Sequence, residues 1–130
     1  MRLTLVLLVV SLVACGDATM PADATCRPTD DRIHFGLTIA PRDSATGAWL
    51  TAKVRAEDGA YVEILVPGMG MPGTTAPSMY FGAEERPGTY TITISSPGYA
   101  VWRRTGIVVA RGTDCHVQGA EMVVFLPRAI

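Results

Sequence analysis

Lysine is almost missing from this chain. Of the 11 Lys and Arg residues only Lys53 is a lysine, and against 12 Asp and Glu the formal net charge is −1. The cations are scattered and form no basic stripe, so the electrostatic footprint of a nucleic-acid binder is absent. Histidine is scarce as well, with His34 and His116 alone. No serine sits in a nucleophile-elbow pattern, and there is neither a phosphate-cradling glycine loop nor a zinc-protease histidine spacing. These gaps argue against an enzyme and against a resident cofactor. Glu84-Glu85 is a carboxylate pair in sequence only, because neighbours on a strand diverge, and it reads as solvated surface. By alternation His34 faces away from the apolar set of its strand, toward solvent.

Long hydrophobic runs are also lacking. Leu3 to Val13 is an apolar stretch of about eleven residues, the length of a signal-peptide core and well short of the roughly twenty needed to span a bilayer. It follows Met1-Arg2 and ends in Leu12-Val13-Ala14-Cys15. That tetrapeptide resembles the lipobox of bacterial lipoproteins. The resemblance implies that residues 1–14 are a signal peptide and that Cys15 carries a diacylglycerol on sulfur, with the new N-terminus acylated in turn. Two or three acyl chains on one residue anchor stably where a single chain would be marginal. Gly16, not Asp, follows Cys15, and by the lipoprotein sorting rule this points to the outer rather than the inner membrane of a bacterial envelope. The expected partners are therefore the membrane, through the lipid, and an envelope protein or glycan.

Only three cysteines are present. With Cys15 taken by lipid, Cys26 and Cys115 are left as an even pair in an oxidising compartment, where a disulfide is expected. Closing a loop of about 89 residues is worth roughly 4.5 kcal/mol in the chain-entropy account. The rival is a metal site drawing on Cys26, His34, Cys115 and His116. Adjacent strand residues point to opposite faces, which counts against Cys115 and His116 sharing one ion.

What the chain does contain is alternation. Residues 15–31 are small, polar and Pro-containing, and read as a flexible tether. From Arg32 to Ile130 short alternating segments are separated by turn signals, and no segment has a helical period. "RIHFGLTIA" places Ile33, Phe35, Leu37 and Ile39 on one face. "LTAKVRAE" does so with Leu50, Ala52, Val54 and Ala56. Asp58-Gly59 signals a hairpin, after which "YVEILV" is expected to turn Val62, Ile64 and Val66 inward. "SMYFGAE" is a possible short strand. "RPGTYTITISSPGY" presents Tyr90, Ile92 and Ile94. "VWRRTGIVVA" carries Gly106, a hint of a bulge, and "CHVQGAEMVVFL" closes the domain. Val123 and Phe125 fall on the outward face of that last strand, suggesting a second apolar surface or packing beneath the disulfide lead. About seven strands predict an all-β, antiparallel β-sandwich.

The stretches "DSATGAWLTAKV" and "RPGTYTITISSPGY" resemble carboxypeptidase regulatory-like, or transthyretin-like (prealbumin-like), domains. Asp43, Thr46, Gly47, Leu50, Ala52 and Val54 fit the first part of that pattern. Pro87, Gly88, Tyr90, Ile92, Ile94, Pro97, Gly98 and Tyr99 fit the second. The match runs from about Ile33 to Leu126, with Trp49 where proline is common. It implies a seven-stranded Greek-key sandwich and a non-catalytic module. The hydrolase branch of that superfamily ends in Tyr-Arg-Gly-Ser, whereas this chain ends in Phe-Leu-Pro-Arg-Ala-Ile. Tyr90 and Tyr99 are expected at core or corner positions, their hydroxyls needing partners if buried.

One loop stands out. Residues 67–79 bring Met69, Met71 and Met79 close together in a Gly/Pro-rich segment. Thioethers suit Cu(I), so metal handling is the alternative function, and an apolar ligand or protein contact is the other use of such a loop. The expectation is a non-catalytic, membrane-anchored envelope lipoprotein whose sandwich is a binding or structural module.

Overall fold

The computed structural model describes residues 26–68 and 79–130. Within them every helix-or-strand element is a strand: β1 Phe35–Asp43, β2 Lys53–Asp58, β3 Tyr61–Ile64, β4 Val66–Pro67, β5 Tyr80–Glu84, β6 Gly88–Ser95, β7 Trp102–Arg111, β8 Val117–Gln118 and β9 Ala120–Leu126. They build a four-stranded sheet ordered β4-β5-β1-β9 and a five-stranded sheet ordered β3-β2-β6-β7-β8. The arrangement is consistent with a β-sandwich. Two strands more than expected are present, and β4 and β8 are pieces of two residues each.

Period-two alternation decides what lies between the sheets. Leu37 and Ile39 from β1, Val54 and Ala56 from β2, Tyr90, Ile92 and Ile94 from β6, and Leu126 from β9 all have 0% exposure. Gly106 does mark a bulge. Its φ is +73°, and the β6–β7 register slips by one residue between Tyr90↔Ile107 and Ile92↔Arg104. A left-handed backbone costs glycine little, and the extra residue lets β7 bend.

One pairing departs from the antiparallel expectation. β1 and β9 run parallel, in register from Leu37↔Ala120 to Asp43↔Leu126. The physical reason lies before both strands. The Cys26–Cys115 disulfide, with Cα atoms 5.4 Å apart, ties the lead of β1 to the turn that precedes β8 and β9. Both strands therefore start from the same end of the sheet.

Five residues assigned inward are corrected. Ile33, before the first paired residue, is 60% exposed, and Phe35 is 43% exposed because Gly36 takes the inward place against Val109 while the Phe35 ring lies on Phe81. Val62, Ile64 and Val66 are also exposed, and Leu65 is buried instead. The hairpin explains the reversal. A two-residue turn at Gly59-Ala60 pairs Asp58 with Tyr61 and Ala56 with Glu63. Directly opposed residues share a face, so Tyr61, Glu63 and Leu65 take the side of Val54 and Ala56. Val123 and Phe125 do face outward, but the disulfide lead docks elsewhere and leaves them more than half exposed.

This register is open to test. Leu65→Ala should cost about 2–5 kcal/mol of unfolding free energy. Val62→Thr and Ile64→Thr should each stay within about 0.5 kcal/mol. Denaturant titrations of the three variants check it; the reverse ranking would mean that β3 pairs in the other register.

Candidate functional site

At the end of the domain where the disulfide lies, a buried histidine is held among polar partners. The site is built on a turn. After β7, the Arg111–Asp114 segment folds back so that Gly112 N–H donates to the His116 carbonyl at 2.7 Å and Cys115 N–H donates to the Gly112 carbonyl at 3.1 Å. Arg111 adds a bond from Nη1 to the Cys115 carbonyl at 3.0 Å, and Asp114 Oδ1 accepts from His116 N–H at 3.2 Å. The turn holds Cys115 at φ +71°, a conformation that non-glycine residues seldom adopt. It also drives the next side chain inward, and His116 is 3% exposed.

A buried imidazole needs partners. Its Nδ1 lies 2.7 Å from Oε1 of Glu85. Its Nε2 lies 3.2 Å from Oδ1 of Asp30 but is too poorly aligned for a hydrogen bond, so that contact is an ion pair and Nε2 has no directional partner. His34 stacks on the ring, with centroids 4.1 Å apart and planes 14° from parallel. Glu85 also accepts from the backbone N–H of His34 at 2.8 Å and of Val117 at 3.3 Å, and its own N–H donates to the His34 carbonyl at 2.9 Å. One carboxylate thus joins the lead of β1, the end of β5 and the start of β8.

The electrostatics follow from this geometry. The bond from Glu85 raises the His116 pKa above its ordinary 6.5, aided by the charges of Glu85, Asp30 and Asp114 and opposed by burial. For Glu85 burial pulls upward, yet the bonds from His116, His34 and Val117 together hold it below 4.5. The His116–Glu85 pair sits beside an open cleft of about 300 Å³ to which Arg27, Asp30 and Arg32 contribute. No hydroxyl or thiol lines that cleft. Glu85 bonded to the backbone of His34, and His116 against Asp30, tie the lead of β1 to this end of the domain.

His34 was expected in solvent. The structure instead brings His34 and His116 together and buries the second. Glu85, read as solvated surface, is the organising group, and Asp30 belongs to the docked lead. Cys26 and Cys115 are bonded to each other and so have no thiolate to offer a metal. Among the described residues no group of three or more His, Cys, Asp or Glu is placed to hold an ion. Met79, 39% exposed, stands just before β5, while Cys15, Met69 and Met71 lie outside the described residues. Nothing local in the sequence marks Glu85, whose histidine partner is 31 residues away.

A buried carboxylate stands among the residues of the first resemblance motif. Asp43, 2% exposed, accepts from the N–H groups of Ala45 at 2.7 Å and Thr46 at 3.1 Å through Oδ1. Its Oδ2 accepts from the Tyr99 hydroxyl at 2.7 Å and from Arg128 at 3.1 Å. The Tyr99 bond leads these donors in lowering its pKa to about 2. Tyr90 is satisfied as well, donating to the Arg86 carbonyl at 2.9 Å.

A scan against protein-family models and a search among curated proteins return no match.

The opposed shifts fix a pH window. A raised histidine stabilises the fold fully below 6.5, and this is lost as pH rises through the higher folded value. A lowered glutamate stabilises above 4.5, and this is lost as pH falls through the lower folded value. The pair therefore contributes most between about 4.5 and 6.5. Stability measured from this window upward should decline as pH rises beyond 6.5, and His116→Gln should flatten that limb; an unchanged alkaline limb would separate the cluster from stability. Replacing Cys26 and Cys115 together by serine should cost about 2–5 kcal/mol, read by denaturant unfolding of the oxidised protein against the variant.

Proposed function

We propose that this chain is a bacterial lipoprotein, anchored through acyl chains on Cys15 to the cell envelope, on the outer-membrane side. Its all-β domain serves as a non-catalytic binding or structural module. The observation that carries the reading is the Cys26–Cys115 disulfide. With it formed, Cys15 is the one cysteine left over, at the end of an apolar leader and in a lipobox-like tetrapeptide. An oxidised pair also fits a compartment outside the cytoplasm.

The finer fold reading is a seven-stranded Greek-key sandwich of the transthyretin-like, carboxypeptidase regulatory-like kind. Support comes from the motif residues. Asp43 and Gly47 close the turn after β1, with Gly47 at φ +71° and its N–H donating to the Asp43 carbonyl at 2.8 Å. Gly98 at φ +81° closes the turn that brings Tyr99 to Asp43. A structural use of these residues agrees with a module that does no chemistry.

Expression in a bacterial host with a radiolabelled or clickable palmitate analogue tests the anchor. The wild-type chain should take up label and sediment with membranes, and Cys15→Ser should lose both. Label retained in Cys15→Ser, or a wild-type chain that stays unlabelled and soluble, would overturn the proposal.

A further inference from the structure

Apolar side chains are left open to solvent where β4 and β5 meet the start of β1. Phe35 and Phe81 stand with ring centroids 5.1 Å apart, tilted by 44°. Val66 is paired with Phe81 and Glu84 with Phe35, so each acts beside its ring. Together with Glu63 they line a cavity of about 270 Å³.

Glu63 arrives from the other sheet. Its Oε2 accepts from the Tyr61 hydroxyl at 2.6 Å and from Ala83 N–H at 2.8 Å. That approach needs Gly82, because a Cβ there would lie 3.0 Å from the same oxygen and 2.8 Å from Leu65 Cγ. It also needs the kink at Ala83, whose φ is +51°. Strain at a non-glycine residue is costly and gathers where a chain shapes a site.

The charge on this cavity is one-sided. Two carboxylates line it, and no lysine or arginine does. The ring faces add the negative side of their quadrupoles. Anions are repelled, and a neutral apolar molecule gains nothing from Glu63 and Glu84. A bare metal ion would need more oxygen ligands than two carboxylates, one of them already engaged by Tyr61 and Ala83, supply. The chemistry that uses both walls is a positive charge on a short apolar stem.

We propose that this cavity binds an alkylammonium group, of the size of choline or a lysine side chain, through Phe35 and Phe81 and the carboxylates of Glu63 and Glu84. The inference narrows the binding-module part of the function proposed above. It is independent of the lipid anchor, so the acylation experiment and the one below fail separately.

The test is a calorimetric or NMR titration of the full chain in non-ionic detergent with choline, and with its neutral isostere 3,3-dimethyl-1-butanol. A second arm uses a short peptide with one lysine, free or trimethylated. Choline or the peptide should bind at least about tenfold more tightly than the neutral alcohol. Glu84→Gln, at an exposed position, should weaken that binding several-fold, and Phe81→Ala about tenfold. If Phe81→Ala does not fold, Glu84→Gln decides alone. Tighter binding of choline assigns a free ammonium ligand, and tighter binding of the peptide assigns a polypeptide side chain. Equal binding of the alcohol, no binding of either cation, or an unchanged affinity in Glu84→Gln would overturn the proposal.

Discussion

Asp43 is an ionised carboxylate with almost no access to water, and one end of the domain takes its shape from the donors that this group requires. A buried charge without partners costs more than any single apolar contact returns. Two backbone N–H groups of the following turn, the Tyr99 hydroxyl and Arg128 meet that demand. They come from the turn after β1, the turn between β6 and β7, and the C-terminal segment. Sheets that face each other through apolar side chains share no hydrogen-bond ladder, so a polar node of this kind fixes how they meet at the rim. The apolar contacts between them are individually weak and carry little direction.

Glu85 plays the same part at the disulfide end. Its carboxylate gathers His116 and two backbone N–H groups, and His116 in turn engages Asp30 of the lead. The covalent bond and the ionic cluster therefore act on one segment. The disulfide limits how far the lead can travel, whereas the carboxylate and imidazole set where it rests. This division explains why the turn at Cys115 tolerates a left-handed backbone: that conformation presents sulfur to the lead and imidazole to Glu85 at once.

Much of the architecture was legible in residue order. Alternation in "TYTITIS" and "LTIA" located the core faces of β6 and of β1 beyond Phe35, and Gly106 located the bulge. At β3 hydrophobicity singles out Val62, Ile64 and Val66, yet these face solvent. Parity across a two-residue turn is the stronger constraint, since it ties β3 to β2 residue by residue. Asp58-Gly59 already announced such a turn. The parallel β1–β9 pair could also have been drawn from the expected disulfide, because a bridge between the leads of two neighbouring strands makes them start together. The Glu85 cluster was not legible. Its members are separated by tens of residues, and only the closure of both sheets brings them within bonding distance.

The exposed apolar residues follow from the same parity. Once Ala56 and Val54 fix β3, Glu63 must point toward the other sheet, and its carboxylate finds Ala83 N–H and the Tyr61 hydroxyl there. The Tyr61 pKa is pushed up to about 12, first by burial and then by this carboxylate, so the phenol stays a donor at any physiological pH. Arg86 lies 3.9 Å over the same ring while bonding Asp58 at 2.8 Å, and so leaves the Glu63 carboxylate to face Phe35, Phe81 and Val66 without a cation of its own lining the cavity. A choice made by turn length in one sheet thereby places a negative charge beside two open aromatic rings in the other.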